Sequence, residues 1–467
     1  CRTQGRGSVS PGLARVREAA KQDKEARFTA LLHHVNESLL RESYFALKRE
    51  AAAGVDGVTW KEYGQGLEVR IRDLHDRVHR GSYRAQPSRR TYIPKPDGRQ
   101  RPLGIASLED KIVQQAVRTV LEQIYEQDFL GFSYGFRAGR GAHEALDALT
   151  VGIERKKVNW VLDADIRGFF DAIDHERLLQ LVERRVADPR INRLLRKWLK
   201  AGISEEGEWS ETKVGTPQGA VISPLLANIY LHYVLDQWAA EWRRRRARGD
   251  MILVRYADDV VFGFERREEA ERFWKELENR FAEYGMTLHP TKTRLIEFGR
   301  FAELNRRERG KGKPETFDFL GFTHRCGRTW KGNRFQVQRT TVKKRLRAKL
   351  QQVRDRIVSQ KHRSIAEVGQ WLGRVVQGYF NYHAIPGNMR ALRIFRRQIG
   401  WIWFRALRRR GQKRPIRSAQ MLRLEQRYLP QTRILHPYPA ERFNAKHPRQ
   451  EPYAGNPLVR ICAGGIG

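Results

Sequence analysis

The chain has 467 residues, with 90 Lys and Arg against 53 Asp and Glu, a formal net charge of +37 and a pI near 10.6. Such an excess of positive charge calls for an anionic partner. Nucleic acid suits it better than a membrane surface, because no run of about 18 apolar residues and no signal-peptide pattern occurs, whereas phosphate neutralisation supplies most sequence-independent affinity for nucleic acid. The length suggests two or three domains, and 40% hydrophobic residues suffice for real cores. Cys1, Cys326 and Cys462 lie far apart without CxxC spacing, so neither a zinc site nor a disulfide framework is indicated, and a reducing cytoplasm fits.

In chain order, residues 1–25 are polar and basic and read as a loose lead-in, ordered by bound RNA, to a helical stretch over 28–53. A turn through GVDGVTW and a charged helical segment over 61–80 lead into RRTYIPKPDGRQRPLGI. There Pro-Asp-Gly marks a tight turn between two basic strands. An apolar-periodic segment follows over 108–125. Asn159-Trp160-Val161-Leu162-Asp163-Ala164-Asp165-Ile166 then reads as a buried strand ending in acids.

Tyr256-Ala257-Asp258-Asp259, between the apolar runs MILVR and VVFGF, sets two adjacent carboxylates at the tip of a predicted β-hairpin. Two divalent cations gripping a nucleoside triphosphate and a primer 3′-oxygen need several converging carboxylates, because Mg²⁺ prefers hard oxygen ligands and keeps positions open for phosphate. The hairpin is therefore a polymerase signature. The plainer alternative is an exposed acidic turn, since Asp is a common turn residue. Past Thr316, FDFLGF and RFQVQ read as strands joined by a Lys331-Gly332-Asn333 turn. Residues 341–420 then hold 21 Lys and Arg against 2 Asp and Glu. Three helical periods run through them: Val342 to Ile357, Ile365 to Tyr379 behind a Ser364/Glu367 capping box, and Met389 to Trp403, with Pro386-Gly387 breaking the chain before the last. A small basic three-helix bundle is expected, followed beyond Pro415 by mixed sequence and an irregular tail rich in Pro and Gly.

The ordered set RRTYIPKPDGRQRPLGI, LDADIRGFFDAIDH, GTPQGAVISPLLANIYL, YADD and GMTLHPTKTRLIEF resembles the successive blocks of reverse transcriptases encoded by mobile group II introns. The segment with GYFNYH and WIWFRALRRRGQK resembles the thumb, or maturase domain X, of that family. The resemblance runs over about 28–443. It implies an α+β right-hand polymerase fold: a basic, helical N-terminal extension at 1–55, fingers and palm with an antiparallel palm sheet at 56–325, a helical thumb at 326–430, and a tail at 431–467. Many members carry a C-terminal endonuclease with paired Cys and His. Here Cys462 stands alone, so no endonuclease domain and priming from an existing DNA 3′ end are expected.

From residue type alone, Asp163 or Asp165 could complete the metal-binding acids. The family pattern selects Asp165, four residues before the first Phe of Gly-Phe-Phe. The resemblance then implies Asp165, Asp258 and Asp259 as catalytic residues holding two Mg²⁺ ions, with Ile166 in the metal-binding set. Asp163 is left to cap a turn or pair with an arginine, and Asp171 and Asp174 to act as helix N-terminal acids. Phe169 would sit under the incoming sugar and exclude a ribose 2′-hydroxyl, with Phe170 in the core. Lys95 and Arg101 would clamp the triphosphate. Gly215-Thr216-Pro217-Gln218-Gly219 opens a helix over 221–235, and Gln218 would line the nucleotide pocket. Lys292 falls in a supporting block whose role is structural or catalytic. In the bundle, Trp371, Tyr379, Tyr382, Trp401 and Trp403 are first of all core, and Arg408, Arg409, Arg410 and Lys413 are the candidates for RNA contact. The implied partners are group II intron lariat RNA, a DNA target and primer, and dNTPs, in a bacterial, nucleoid-associated cytoplasmic protein. The rivals are a non-catalytic RNA-binding splicing cofactor and a domesticated or CRISPR-associated reverse transcriptase. Three mutually repelling acids argue against the first.

Overall fold

The computed structural model describes residues 10–94, 100–205, 208–210, 215, 219–329, 332–360, 362–410 and 416–446. The N-terminal segment is more ordered than its composition suggests. Ser10 caps and Pro11 opens α1 (Pro11–Gln22), whose Leu13, Val16 and Ala20 are buried. A Ser-Pro pair is a helix start because proline has no N–H to leave unbonded there. The expected helix over 28–53 shrinks to a 3₁₀ turn at Leu32–His34 and α2 (Glu37–Ala46), which Asn36 caps. Phe28 instead makes a β-bridge with Val186. The segment at 61–80 divides into α3 (Trp60–Tyr63) and α4 (Leu67–Arg80), because Gly66 turns left-handed at φ 76°.

The basic hairpin forms as expected. β1 (Ser88–Pro94) pairs antiparallel with β2 (Gln100–Ile105), with Arg101 opposite Ile93, and residues 95–99 lie outside the described set. The apolar period beyond it is α5 (Leu108–Asp128), whose Ile112, Val113, Ala116, Val117, Val120 and Leu121 are fully buried. α1 and α2 pack on it. α6 (Ala142–Arg155), β3 (Trp160–Asp165), α7 (Phe169–Ala172), α8 (His175–Glu183) and α9 (Pro189–Lys200) follow. Short strands β4 (Ile203–Glu205) and β5 (Glu208–Ser210) extend the hairpin sheet in the order β2-β1-β4-β5.

The expected helix over 221–235 becomes α10 (Ser223–Leu231), a π-helical turn at His232–Asp236, and α11 (Gln237–Arg246). The central sheet is built from β6 (Met251–Tyr256), β7 (Asp259–Phe264), β3 and β8 (Arg294–Glu297), in the order β6-β7-β3-β8 with every pair antiparallel. α6 packs against β6, and α12 (Arg267–Glu283) against β3 and β7. After α13 (Ala302–Glu308), the strands β9 (Phe317–Phe319), β10 (Phe322–Arg328) and β11 (Phe335–Thr341) form a separate antiparallel sheet.

The three helical periods near the C-terminus are α14 (Lys343–Ser359), α15 (Ile365–His383) and α16 (Met389–Arg410). The Ser364/Glu367 capping box is present. Val353, Ile357, Leu372, Val376, Phe395 and Trp403 belong to a second core, separate from the one around the central sheet. What was expected to be mixed sequence and irregular tail contains α17 (Ser418–Tyr428) and α18 (Pro439–Lys446). α18 returns to α6: Phe443 is buried in the first core, and Arg442 pairs with Asp147 at 3.2 Å. Among the described residues no helix is long and apolar enough to cross a membrane.

Candidate active site

The antiparallel register of β3 and β7 puts Asp165 directly opposite Asp259. Side chains facing each other across such a rung have Cβ atoms about 4.5–5.5 Å apart. Tyr256 pairs with Asp259 to close the β6–β7 hairpin, which leaves Ala257 and Asp258 as its two loop residues. Ala257 is left-handed at φ 56°, as the tightest hairpin loops require. Asp165 and Asp259 therefore face each other, with Asp258 in the adjoining loop. Val260, Val261 and Phe262 behind them are buried, so the strand is enclosed on both faces up to the acids at its end.

Concentrating carboxylates in a cleft disfavours their charged form. Crowding by protein, then repulsion from Asp258 and Asp165, pushes Asp259 up to about 6. Asp258 is raised mainly by burial, with Asp165 adding to it and Arg101 of the basic hairpin opposing it. Lys292 Nζ lies 2.8 Å from Asp165 Oδ2, and the N–H of His289 donates to the Asp165 carbonyl at 2.8 Å. Lys292 thus pairs with Asp165, one of the predicted acids. Asp163, one turn of the pleat behind, is pushed by burial up to about 7, with Arg294 3.7 Å away opposing the shift, so its pairing with an arginine is as expected. Asp174 caps α8 and Asp171 lies in the first turn of α7, also as expected. Ile166 has a buried apolar side chain, which leaves only its backbone oxygen to offer a cation.

Asp165, Asp258 and Asp259 suit a hard cation in type and in mutual repulsion. Among the described residues, no group of three His, Cys, Asp or Glu side chains is already drawn together as a metal cage.

A fully buried ion pair supports the hairpin. Arg255, the residue before Tyr256, donates through Nε to Asp236 Oδ1 at 2.7 Å, and both side chains are completely enclosed. Its Nη1 also reaches Asn228 Oδ1 at 2.9 Å and the Ala257 carbonyl at 3.1 Å, in the loop itself. Asp236 ends the π-helical turn, and such turns re-aim the residues beside them. Gly135 lies so close that an added Cβ would stand 2.3 Å from the Ala257 nitrogen. None of Arg255, Asp236 or Gly135 was anticipated. The Arg preceding YADD was the available sequence signal, but its partner lies outside any recognisable motif.

Both phenylalanines pack on the core, Phe169 more deeply than Phe170. Phe169 is 2% exposed and belongs to the core, whereas Phe170 is only half-buried. Gly168 at φ 54° turns the chain between β3 and α7 and so swings the first ring inward. Lys95, Gln218 and Lys413 fall outside the described residues. Arg408, Arg409 and Arg410 are all exposed but do not act alike. Arg408 lies over the Phe404 ring, and Arg410 donates to the Arg363 carbonyl at 2.7 Å. Among the bundle aromatics, Tyr379 and Trp403 are core, while Trp401 is 49% exposed beneath Arg405. Arg345 of α14, also unanticipated, exerts a favourable field on Asp259.

Residues 93–324 match the family described as reverse transcriptase (RNA-dependent DNA polymerase), which joins the antiparallel sheet and its acids to a class of protein. The similar proteins narrow that class. Protein YkfC of Escherichia coli is 38% identical over 238 residues, covering 44% of this chain and 62% of that protein. The group II intron-encoded protein LtrA of Lactococcus lactis is 37% identical over 235 residues, covering 50% of this chain and 39% of LtrA. Nuclear intron maturase 4 of Arabidopsis thaliana is 33% identical over 152 residues, 32% of this chain and 18% of that protein. Residues 93–324 are thus similar to reverse transcriptases, and among the relatives are a group II intron-encoded protein and an intron maturase. The chain spans less than two thirds of the length of each of these relatives.

Proposed function

We propose that this protein is an RNA-directed DNA polymerase that copies intron RNA into DNA and binds structured intron RNA to assist its splicing. The observation that carries the reading is the β3–β7 rung setting Asp165 opposite Asp259, with Asp258 in the adjoining loop. A module that only bound RNA would gain nothing from carboxylates that repel one another. In this reading residues 56–325 are fingers and palm, 326–430 the thumb, and 1–55 an extension.

Asp165, Asp258 and Asp259 would hold two Mg²⁺ ions, with Ile166 contributing its carbonyl. When bound, the ions supply the charge that lowers the pKa of a primer 3′-hydroxyl and steadies the leaving pyrophosphate. The remaining work falls to the chain's own groups. Lys292 holds the Asp165 carboxylate in place. Arg101, on the hairpin arm whose field reaches Asp258, offers forked donors to a triphosphate, and Lys95 and Gln218 complete the proposed nucleotide pocket. Arg255 fixes the loop that carries Asp258. Phe169, at the start of α7, is proposed to exclude a 2′-hydroxyl. Arg408, Arg409, Arg410 and Lys413 are assigned to intron RNA.

Primer extension on an RNA template with Mg²⁺ tests the proposal. DNA product that depends on dNTPs supports it. An intact protein that binds the template but makes no product contradicts it.

A further inference from the structure

Phe136 and Arg137 occupy the reverse of their usual places. Arginine is normally exposed and phenylalanine normally enclosed. Here Arg137 is 7% exposed, donating through Nη1 to the Leu130 and Ser133 carbonyls at 2.8 and 2.9 Å and through Nη2 to Glu126 at 3.0 Å. Phe136 is 49% exposed, although Phe132, Ser133, Tyr134 and Gly135 before it are all buried. The backbone produces the inversion: Phe136 is left-handed at φ 59°, a rare conformation for a bulky residue. Such strain persists only where the surroundings over-determine it. Arg137 pins the chain on one side. On the other, Asn228 Nδ2 donates to the Gly135 carbonyl at 2.7 Å and the Tyr134 N–H to the Arg255 carbonyl at 2.9 Å. The ring is thereby held out in water.

The place is beside the loop that carries Asp258. Gly135 abuts the Ala257 nitrogen, and Ala257 is left-handed too, so that contact has one strained non-glycine residue in it and another next to it. Backbone strain of this kind collects at sites that bind or react. In the polymerase reading above, on which the inference rests, the acids bring the primer end and its template to this loop. Phe136 has no charge for phosphate and no donor or acceptor for a base edge. What it offers is a flat carbon surface, which fits the sugars and base faces of nucleic acid. We propose that the Phe136 ring packs against the sugars and bases of the template–primer duplex at its growing end, a substrate contact that helps to seat the primer 3′ end over the acids. Such a contact excludes water without reading sequence, and it neutralises no phosphate.

The probe is an RNA template paired with a DNA primer that ends in a dideoxynucleotide, so that binding is read without synthesis. Phe136→Gly and Phe136→Asn remove the ring and place there the residues that best tolerate a left-handed backbone. Phe136→Tyr keeps the ring. The two ring-free variants should bind the duplex about 3- to 10-fold more weakly, as expected when roughly half a phenylalanine ring is no longer enclosed, and the Tyr variant within about twofold of wild type. The factor should be the same for different terminal base pairs and at every salt concentration, because the number of neutralised phosphates is unchanged. With an extendable primer, KM for the template–primer should rise by that factor while kcat holds, since the contact is made equally before and during the chemical step. Equal affinity for ring-free variants that melt like wild type would overturn the inference, as would a loss that changes the salt slope. So would a fall in kcat with KM unchanged, which would make Phe136 a support for the loop alone. A wild-type protein that makes no DNA contradicts the proposed function, whereas the binding comparison, which needs no synthesis, still decides about the ring.

Discussion

Asp259 faces Asp165 across a rung and Asp258 along the chain, and its carboxyl is pushed up to about 6. A folded-state pKa above the unfolded one means that folding takes up a proton between about pH 4 and 6, so the associated stability is present at low pH and lost as pH rises through 6. Asp259→Asn should therefore melt higher than wild type at pH 7.5 and converge with it near pH 4. Thermal melts of the two proteins across that range check the sign, and a difference independent of pH would contradict it. The buried histidines slope the other way: His232 and His324 are driven by burial down to about 3. Their contribution is lost as pH falls below about 6.5, and it cancels between wild type and Asp259→Asn. Phe169 raises a different problem at this scale, because its burial makes truncation costly. Phe169→Ala is expected to destabilise by about 3–5 kcal/mol. If the ring also excludes a 2′-hydroxyl, the variant should incorporate ribonucleotides more readily relative to deoxyribonucleotides. Selectivity ratios measured well below its melting temperature separate the two effects, and an unchanged ratio leaves Phe169 as core alone.

The hairpin that carries Asp258 and Asp259 is held from behind by parts distant in sequence, and this is where the sequence was least legible. YADD and its flanking apolar runs identified β6 and β7, and the apolar stretch ending in acids at 159–166 identified β3, because short apolar runs bounded by turn or acidic residues survive as a signal in a single sequence. The Arg255–Asp236 pair, the π-helical turn and the approach of Gly135 depend on how three separate elements meet, which no local pattern encodes. Helix α1 was missed for another reason: its polar composition masked the Ser10-Pro11 start signal. Two substitutions test the supporting parts. Asp236→Ala strips the partner from a fully enclosed guanidinium and should cost about 3–5 kcal/mol, with denaturant midpoints as the readout. Gly135→Ala should push the Ala257 nitrogen aside and cut DNA synthesis at least about tenfold, a displacement of roughly 1.4 kcal/mol or more in the barrier. RNA affinity should hold, since no basic surface changes. Normal synthesis by Gly135→Ala would show that the loop tolerates the shift.

Across the whole molecule, acids are gathered at one end of a central sheet while a net charge of +37 is spread over the rest. Composition alone made the anionic partner evident, but not which arginines serve it. Arg410 turned out to hold backbone carbonyls and Arg408 to cover Phe404, so the cluster divides its labour. Replacing Arg408, Arg409 and Arg410 with Gln should weaken intron RNA binding and flatten its salt dependence, the log–log slope falling by about 0.7–0.9 for each phosphate that is no longer neutralised. Parallel salt series for the two proteins would mean that these arginines do not touch phosphate.

The central claim is that the acids and the basic surfaces act separately, the first in DNA synthesis and the second in holding RNA. Measuring primer extension and intron RNA affinity side by side for wild type and Asp258→Ala tests it most directly. Synthesis should vanish while affinity stays within a few-fold, because one metal-binding carboxylate is gone and every phosphate-binding side chain is kept. Extension persisting above about a tenth of the wild-type rate, a loss of less than about 1.4 kcal/mol in transition-state stabilisation, would contradict the assignment of Asp258 to the metal-binding set.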